Sequence, residues 1–448
     1  MDFWIKAAQL MLSLAILITL HEFGHYLAAR LFKIRVEKFY LFFDPWFSLL
    51  KKKIGDTEWG IGWLPLGGYV KIAGMIDESM DKEQMAQPPK PDEFRSKPAW
   101  QRLIVMVGGV VVNVIVGFII YIIVVAAWGE RVVQNDSLKY GMAVHQDIRA
   151  LDLGIEDGDF ITKLQGEEIE NFSSINLKIF LRGYRDLEIQ KPDGTTKEVT
   201  LPADIDDYMW EKGAIFAFDI RRPTIVDTVF QDADAFQKGL QKGDSIISVN
   251  GKDTPFYHLF AEELSTLEGD SAAILLGFFR GDEYMEEEII VRYNSKEERY
   301  LLGIGLKAPS FINPITLNFG FAESISRGFS KAGWTMHDYA AQLPLLFTAQ
   351  GAKNVGGFGA IGNMFPAKWD WERFWLNTAF ISLVLAIMNI LPIPALDGGH
   401  IVFLLYEMIT GREAPQKVLE YAQVIGFIIV IGLVLYANGN DIYRAFFK

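Results

Sequence analysis

The sequence predicts a polytopic α-helical membrane protein: four transmembrane helices, a membrane-associated β-hairpin on the cytoplasmic side, and two inserted α+β domains. Three observations predict it. Half of the 448 residues are hydrophobic, and mean hydropathy is +0.16. Four apolar stretches approach the ~20 residues that a helix needs to cross a bilayer. Between the second and third of these lies a long polar interval in which one turn-and-strand pattern occurs twice.

Taken in order, the spans run over Phe3–Ala29, Leu103–Trp128, Phe374–Leu391 and Val418–Tyr436. The chain start carries Asp2 and Lys6, and its apolar run continues without a small-residue cleavage site, so it reads as a retained anchor. Lys and Arg gather between spans one and two: Arg30, Lys33, Arg35, Lys38, the Lys51–Lys53 triplet, Lys90, Arg95, Lys97 and Arg102. That loop is therefore expected in the cytoplasm, the polar interval outside, and both termini outside, against a weak contrary signal from Arg444 and Lys448. Within the loop, "EWGIGWLPLGGYVKIAG" from Glu58 alternates aromatic and β-branched residues between glycines, which predicts a β-hairpin.

In the polar interval, "IEDGDFITKLQGEEI" from Ile155 aligns with "LQKGDSIISVNGKDT" from Leu240. Each copy has a Gly-Asp turn, an alternating strand and a second turn at Gly166 or Gly251, followed by a helical stretch and two more strands. The pair resembles tandem bacterial PDZ domains, with an unrelated small β-domain repeat as the alternative; neither copy shows a clear carboxylate-binding loop. The expected divisions are 1–129 (spans one and two with the hairpin), 130–220 and 221–310 (the two repeats), and 311–448. In the last, Phe321, Ile325 and Phe329 recur at helical spacing, as in a surface-lying amphipathic helix, before spans three and four.

A net charge of −13 argues against nucleic acid as a partner, because phosphates require a basic face. The absence of cysteine excludes disulfides, thiolate metal sites and cysteine nucleophiles, leaving His, Asp and Glu for any metal. The first span contains "HEFGH". On a helix His21 and His25 share one face a turn apart and can reach one ion, with Glu22 beside them. This is the H-E-x-x-H pattern in which two histidines hold Zn²⁺ and the glutamate is general base. Ionisable groups in a span are costly and point to function. A catalytic zinc takes a third protein ligand. The candidate is Asp397 in "NILPIPALDGGH": Pro392 and Pro394 end span three and are expected to leave Asp397, Gly398 and Gly399 on an irregular turn. Spans one and three both run inward, so His21, His25 and Asp397 meet at one depth. By contrast, His400 reads as the opening of the next helix, Asn113 as a hydrogen bond between helices, and His337 as membrane-surface packing.

HEFGH, "NILPIPALDGG", the repeats and "FRSKPAWQRLIVMVGGVVVNVIVG" through span two are together similar to bacterial site-2 proteases of the regulator-of-sigma-E protease type, over essentially the whole chain. The resemblance implies a zinc metalloendopeptidase of the bacterial inner membrane, acting in a stress response. Its PDZ domains would stand on the periplasmic side and its active site near the cytoplasmic side. Such enzymes cut single-pass transmembrane substrates in the bilayer, of the anti-sigma-factor or remnant-signal-peptide type, after another protease has trimmed them. It further implies that His21, His25 and Asp397 hold zinc and Glu22 activates water. Asn389 would hold substrate backbone, the β-element with Gly67, Gly68, Tyr69 and Val70 would pair with substrate, and the PDZ pair would act as a size filter. The chain departs from the family at "NVGGFGAIGNMF", where Ala360 replaces part of a frequent Gly-Pro loop; with no following Lys-Ser/Thr it is not a phosphate loop. Two other readings remain at this level: a catalytically inactive membrane PDZ scaffold, and a metal or proton transporter with a His/Asp relay. Oligomeric state is not legible.

Overall fold

The computed structural model describes residues 2–64, 67–75, 88–295, 297–308 and 312–447; Pro65 and Leu66 of the expected hairpin, and the expected domain boundary at 310–311, lie outside the described residues. The chain forms two compact units, one from Met1–Gly129 with Asn318–Ala445 and one built on Glu130–Leu317.

In the first unit, among the described residues, four helices are long and apolar enough to cross a membrane: Asp2–Leu31, Ala99–Trp128, Trp371–Ile390 and Gln416–Phe446. The second span packs against the first and third and touches the helices Phe321–Gln342 and Asp397–Thr410. Small residues make these contacts close. A Cβ on Gly108 would lie 2.7 Å from the Gly24 carbonyl oxygen, and one on Gly117 would lie 2.5 Å from Leu383. Lipid is as apolar as leucine, so helices associate here through backbone proximity and polar ties rather than by hiding apolar faces.

The same rule describes the amphipathic segment. Phe321–Gln342 is a helix, and Phe321, Ile325 and Phe329 are exposed. The packed face is the small-residue stripe Ser324, Gly328 and Ala332, with Gly328 so close to the second span that a Cβ would stand 2.5 Å from Ile122 Cα. The fourth span is mostly exposed. Its far end carries Asp441, which accepts the Gly357 and Ala360 N–H groups at 3.0 Å each, and Asn438, which accepts that of Phe358 at 3.2 Å. The glycine-rich stretch thus binds a helix end: a Cβ on Gly357 would sit 2.7 Å from Asn438 Oδ1.

The loop between spans one and two forms a four-stranded sheet from β1 (Val36–Leu41), β2 (Phe43–Ile54), β3 (Thr57–Leu64) and β4 (Tyr69–Ile72), in the order β2-β3-β1-β4. The expected hairpin from Glu58 to Gly74 is therefore misplaced. Its two halves are strands, but β1 lies between them, parallel to β3 and antiparallel to β4. Alternation identifies a strand and is silent about its neighbour; β1 takes the central place because Val36, Phe39 and Tyr40 are all buried. The actual hairpin is β2–β3, closed at Gly55 and Asp56, where Gly55 adopts φ +62°. β4 is an edge strand.

In the second unit the two repeats share their turns. Gly158 and Gly243 both adopt φ +97°; the hairpin turns Gln165-Gly166 and Asn250-Gly251 have φ of +54° and +77°, and +52° and +78°. Each Gly-Asp turn buries its carboxylate. Asp159 accepts the Glu156 N–H at 2.8 Å and pairs with Lys191 at 3.0 Å; Asp244 accepts the Gln241 N–H at 2.8 Å and pairs with Arg280 at 2.8 Å. Separate apolar cores form around Ile161, Ile175 and Ile189, and around Ile246, Phe260 and Ile289. The repeats also differ. Asn176, on the helix Ile175–Arg182, clamps the Phe218 backbone, donating to its carbonyl at 2.6 Å and accepting its N–H at 3.0 Å. In the second repeat Ala261 follows the first buried helix residue as Asn176 does in the first, and lines a groove of mixed polarity beside the strand Ile304–Leu306. Where the chain enters and leaves the unit, Glu130–Val132 pairs with Ile315–Leu317.

Candidate metal centre

His21 and His25 project from one face of the first span because helical spacing stacks i and i+4. Asp397 reaches them from the other side. It does not lie on an irregular turn, as expected, but is the first residue of the helix Asp397–Thr410. The turn ends at Leu396, after Ala395 at φ +81°. Gly399 lets that helix begin against the preceding turn, since a Cβ there would be 2.6 Å from Pro394 Cα. A carboxylate in a helix's first turn is favoured by the helix dipole. His400 accordingly sits inside the first turn and not at the metal group.

The three donor atoms form a near-equilateral triangle. His21 Nε2 is 3.2 Å from His25 Nε2, and Asp397 Oδ2 is 3.2 Å from His21 Nε2 and 3.4 Å from His25 Nε2. Metal–ligand bonds of about 2.0–2.1 Å at tetrahedral angles place donors about 3.3 Å apart. Both histidines are buried, and Asp397 Oδ2, shut off from solvent, has no hydrogen-bond donor among the described residues. Beside the triangle stands Gly109 of the second span, where a Cβ would fall 2.8 Å from His21 Nε2. Two nitrogens, one orphaned carboxylate oxygen and a cleared space fit a cation such as Zn²⁺ with an open position.

The second span also holds the rings. The Val105 carbonyl lies 2.8 Å from His25 Nδ1. A carbonyl only accepts, so that nitrogen carries the proton and Nε2 is left for an ion. Asn113 lies 3.2 Å from His21 Nδ1, and its own backbone carbonyl accepts the Ser382 hydroxyl at 2.7 Å. Asn389 reaches His21 Nε2 at 3.4 Å.

These groups border a cleft of about 730 Å³ lined by His21, Glu22, His25, Asp397 and β4, with Phe427 from the fourth span. The Val70 backbone is a hydrogen-bond neighbour of Glu22. Tyr69 stacks on Tyr40 and Phe43 and donates to Asp44 at 2.8 Å. Burial and that hydrogen bond push its hydroxyl above the usual tyrosine range, so it stays a donor at neutral pH. Gly68 lines the cleft; Gly67 stands just outside, at φ +152° against the Phe43 ring. Val105, Gly109 and Phe427 escaped the sequence reading. The Gly108-Gly109 pair, one turn before Asn113, is the signal that could have found the second span's part.

A family model described as peptidase family M50 matches residues 9–433. The chain is 27% identical to a putative zinc metalloprotease of Xylella fastidiosa, covering 98% of this chain and 99% of that one. It is 26% identical to the regulator of sigma E protease of Haemophilus influenzae (99% and 100% covered) and 28% identical to Protease RseP of Yersinia pestis (98% of each). A solved PDZ domain from Listeria monocytogenes matches 19% of this chain and 86% of its own at 20% identity, with a TM-score of 0.17, too slight to argue from. Spans and site together define the class, a membrane-embedded metallopeptidase. More narrowly, the chain belongs to peptidase family M50.

Proposed function

We propose that this protein is a zinc endopeptidase that cleaves single-pass transmembrane proteins within the bilayer of a bacterial inner membrane. The observation that carries the reading is the triangle with 3.2–3.4 Å edges, set among helices long enough to span a membrane. His21, His25 and Asp397 would hold Zn²⁺, the metal in the relatives' names. Zinc supplies a Lewis acid that brings the pKa of water to about 7. Glu22 takes the proton of the attacking water and passes it to the leaving amine.

A peptide bond in a helix is shielded and already hydrogen-bonded. Opening it in hydrocarbon costs several kcal/mol for each backbone group left unpaired. β4 borders the cleft as the edge strand of its sheet among the described residues, so an unwound substrate segment can add to it as a strand, with Asn389 holding a further backbone group. The lysine-rich loop favours a cytoplasmic position for this site and a periplasmic one for the repeats. There the PDZ-like pair would restrict access to trimmed substrates, of the anti-sigma-factor or remnant-signal-peptide type.

In liposomes carrying a model single-pass substrate, wild type should cleave. Glu22→Gln should keep its zinc and lose activity by about 100-fold or more. Val70→Pro should also keep zinc while cutting cleavage. Full cleavage by Glu22→Gln would overturn the mechanism; full cleavage by Val70→Pro would overturn strand pairing alone.

A further inference from the structure

Each histidine has one nitrogen in the triangle and one facing the second span. For His25 the outer partner is a backbone carbonyl, which dictates the tautomer. For His21 it is a side-chain amide, whose oxygen and nitrogen are exchanged by a half-turn. In one of the two orientations Asn113 Nδ2 faces His21 Nδ1 at 3.2 Å. That arrangement places the ring proton on Nε2, inside the triangle, 3.2 Å from His25 Nε2. It also leaves Asn113 Oδ1, in a fully buried residue, with no hydrogen-bond partner among the described residues.

We propose that Asn113 is a positioning residue for the metal centre: with its amide oxygen turned to His21, it accepts the Nδ1 hydrogen and fixes the tautomer that leaves Nε2 free for the ion. The half-turn gives the orphaned oxygen its donor and makes the two rings equivalent, both Nδ1 atoms donating to acceptors on the second span. An amide can serve here because its backbone is held: the Ser382 hydroxyl of the third span donates to the Asn113 carbonyl at 2.7 Å. The inference rests on the reading of His21 as a zinc ligand.

The test is the affinity of the purified full chain for Zn²⁺, measured by chelator competition in detergent, together with the ligand-field bands of the Co²⁺-loaded protein. Asn113→Leu, of similar volume, should weaken Zn²⁺ binding about 10–100-fold. Asn113→Asp, which keeps an acceptor and cannot donate, should bind at least as tightly as wild type and shift the Co²⁺ bands. Wild-type affinity in a folded Asn113→Leu overturns the proposal. If that variant does not fold, Asn113→Asp decides: retained affinity supports the role, and a tenfold loss overturns it. If wild type itself binds no Zn²⁺, the metal reading fails and takes this inference with it.

Discussion

Asp397 in the membrane unit and Asp244 in the second repeat are both enclosed aspartates beside glycine, and they have opposite surroundings. Asp244 is 1% exposed, accepts a backbone N–H and is gripped by Arg280 through two hydrogen bonds of 2.8 and 2.9 Å. Asp159 repeats the pattern with Lys191. Asp397 has no such cation. Its Oδ2 faces two imidazole nitrogens and receives no hydrogen-bond donor among the described residues. A satisfied carboxylate holds a fold together, whereas one facing two imidazole nitrogens has the surroundings that suit an ion.

The largest expected effect breaks this comparison at its metal side. Asp397→Asn should abolish the rise in thermal midpoint that Zn²⁺ gives wild type, worth about 2.7 kcal/mol at 100 times the dissociation constant. Asp244→Asn should instead lower the midpoint equally with and without Zn²⁺. Its cost should be about 2 kcal/mol, short of a fully buried pair because Arg280 is 32% exposed. Differential scanning fluorimetry of the full chain in detergent reads both. A second contrast pairs glycines. Gly109→Ala should lose Zn²⁺ affinity for want of space, whereas Gly251→Ala, with open space but φ +78°, should cost about 1 kcal/mol and leave Zn²⁺ binding alone.

The smallest effect concerns Asp157, which joins the repeats. It contacts His258 at 3.1 Å and Arg149 at 3.0 Å and accepts the Val144 N–H at 2.8 Å. Burial pushes its carboxyl up, but the His258 and Val144 hydrogen bonds outweigh this and hold it below the usual range. A depressed carboxyl stabilises the fold above its unfolded value of about 3.9, and that stability is lost as pH falls through the lower folded value. Acidification from about pH 5 to 2 should therefore lower the thermal midpoint less in Asp157→Asn than in wild type.

What the sequence revealed follows from distance along the chain. His21, Glu22 and His25 were legible because helical spacing alone puts the histidines on one face. The repeats were legible because each Gly-Asp turn is local and occurs twice. Asp397 was reachable because two prolines end a span just before it, although the helix it opens was hidden by glycines that ordinarily break helices. Strand partnership failed because β1, outside the alternating segment, inserts between β3 and β4. The helix Phe321–Gln342 was legible from its apolar stripe, but its packed face was not, because Ser324, Gly328 and Ala332 carry no hydrophobic signal. Gly109 was passed over because its one signal, a glycine pair a turn before Asn113, marks close packing without saying what packs there.

The central claim is that His21, His25 and Asp397 hold one ion that Glu22 does not. Zinc per chain, measured on purified protein by mass spectrometry, tests it most directly. The account requires about one zinc in wild type and in Glu22→Gln, and almost none in Asp397→Ala. Zinc retained by Asp397→Ala, or lost from a folded Glu22→Gln, would contradict it.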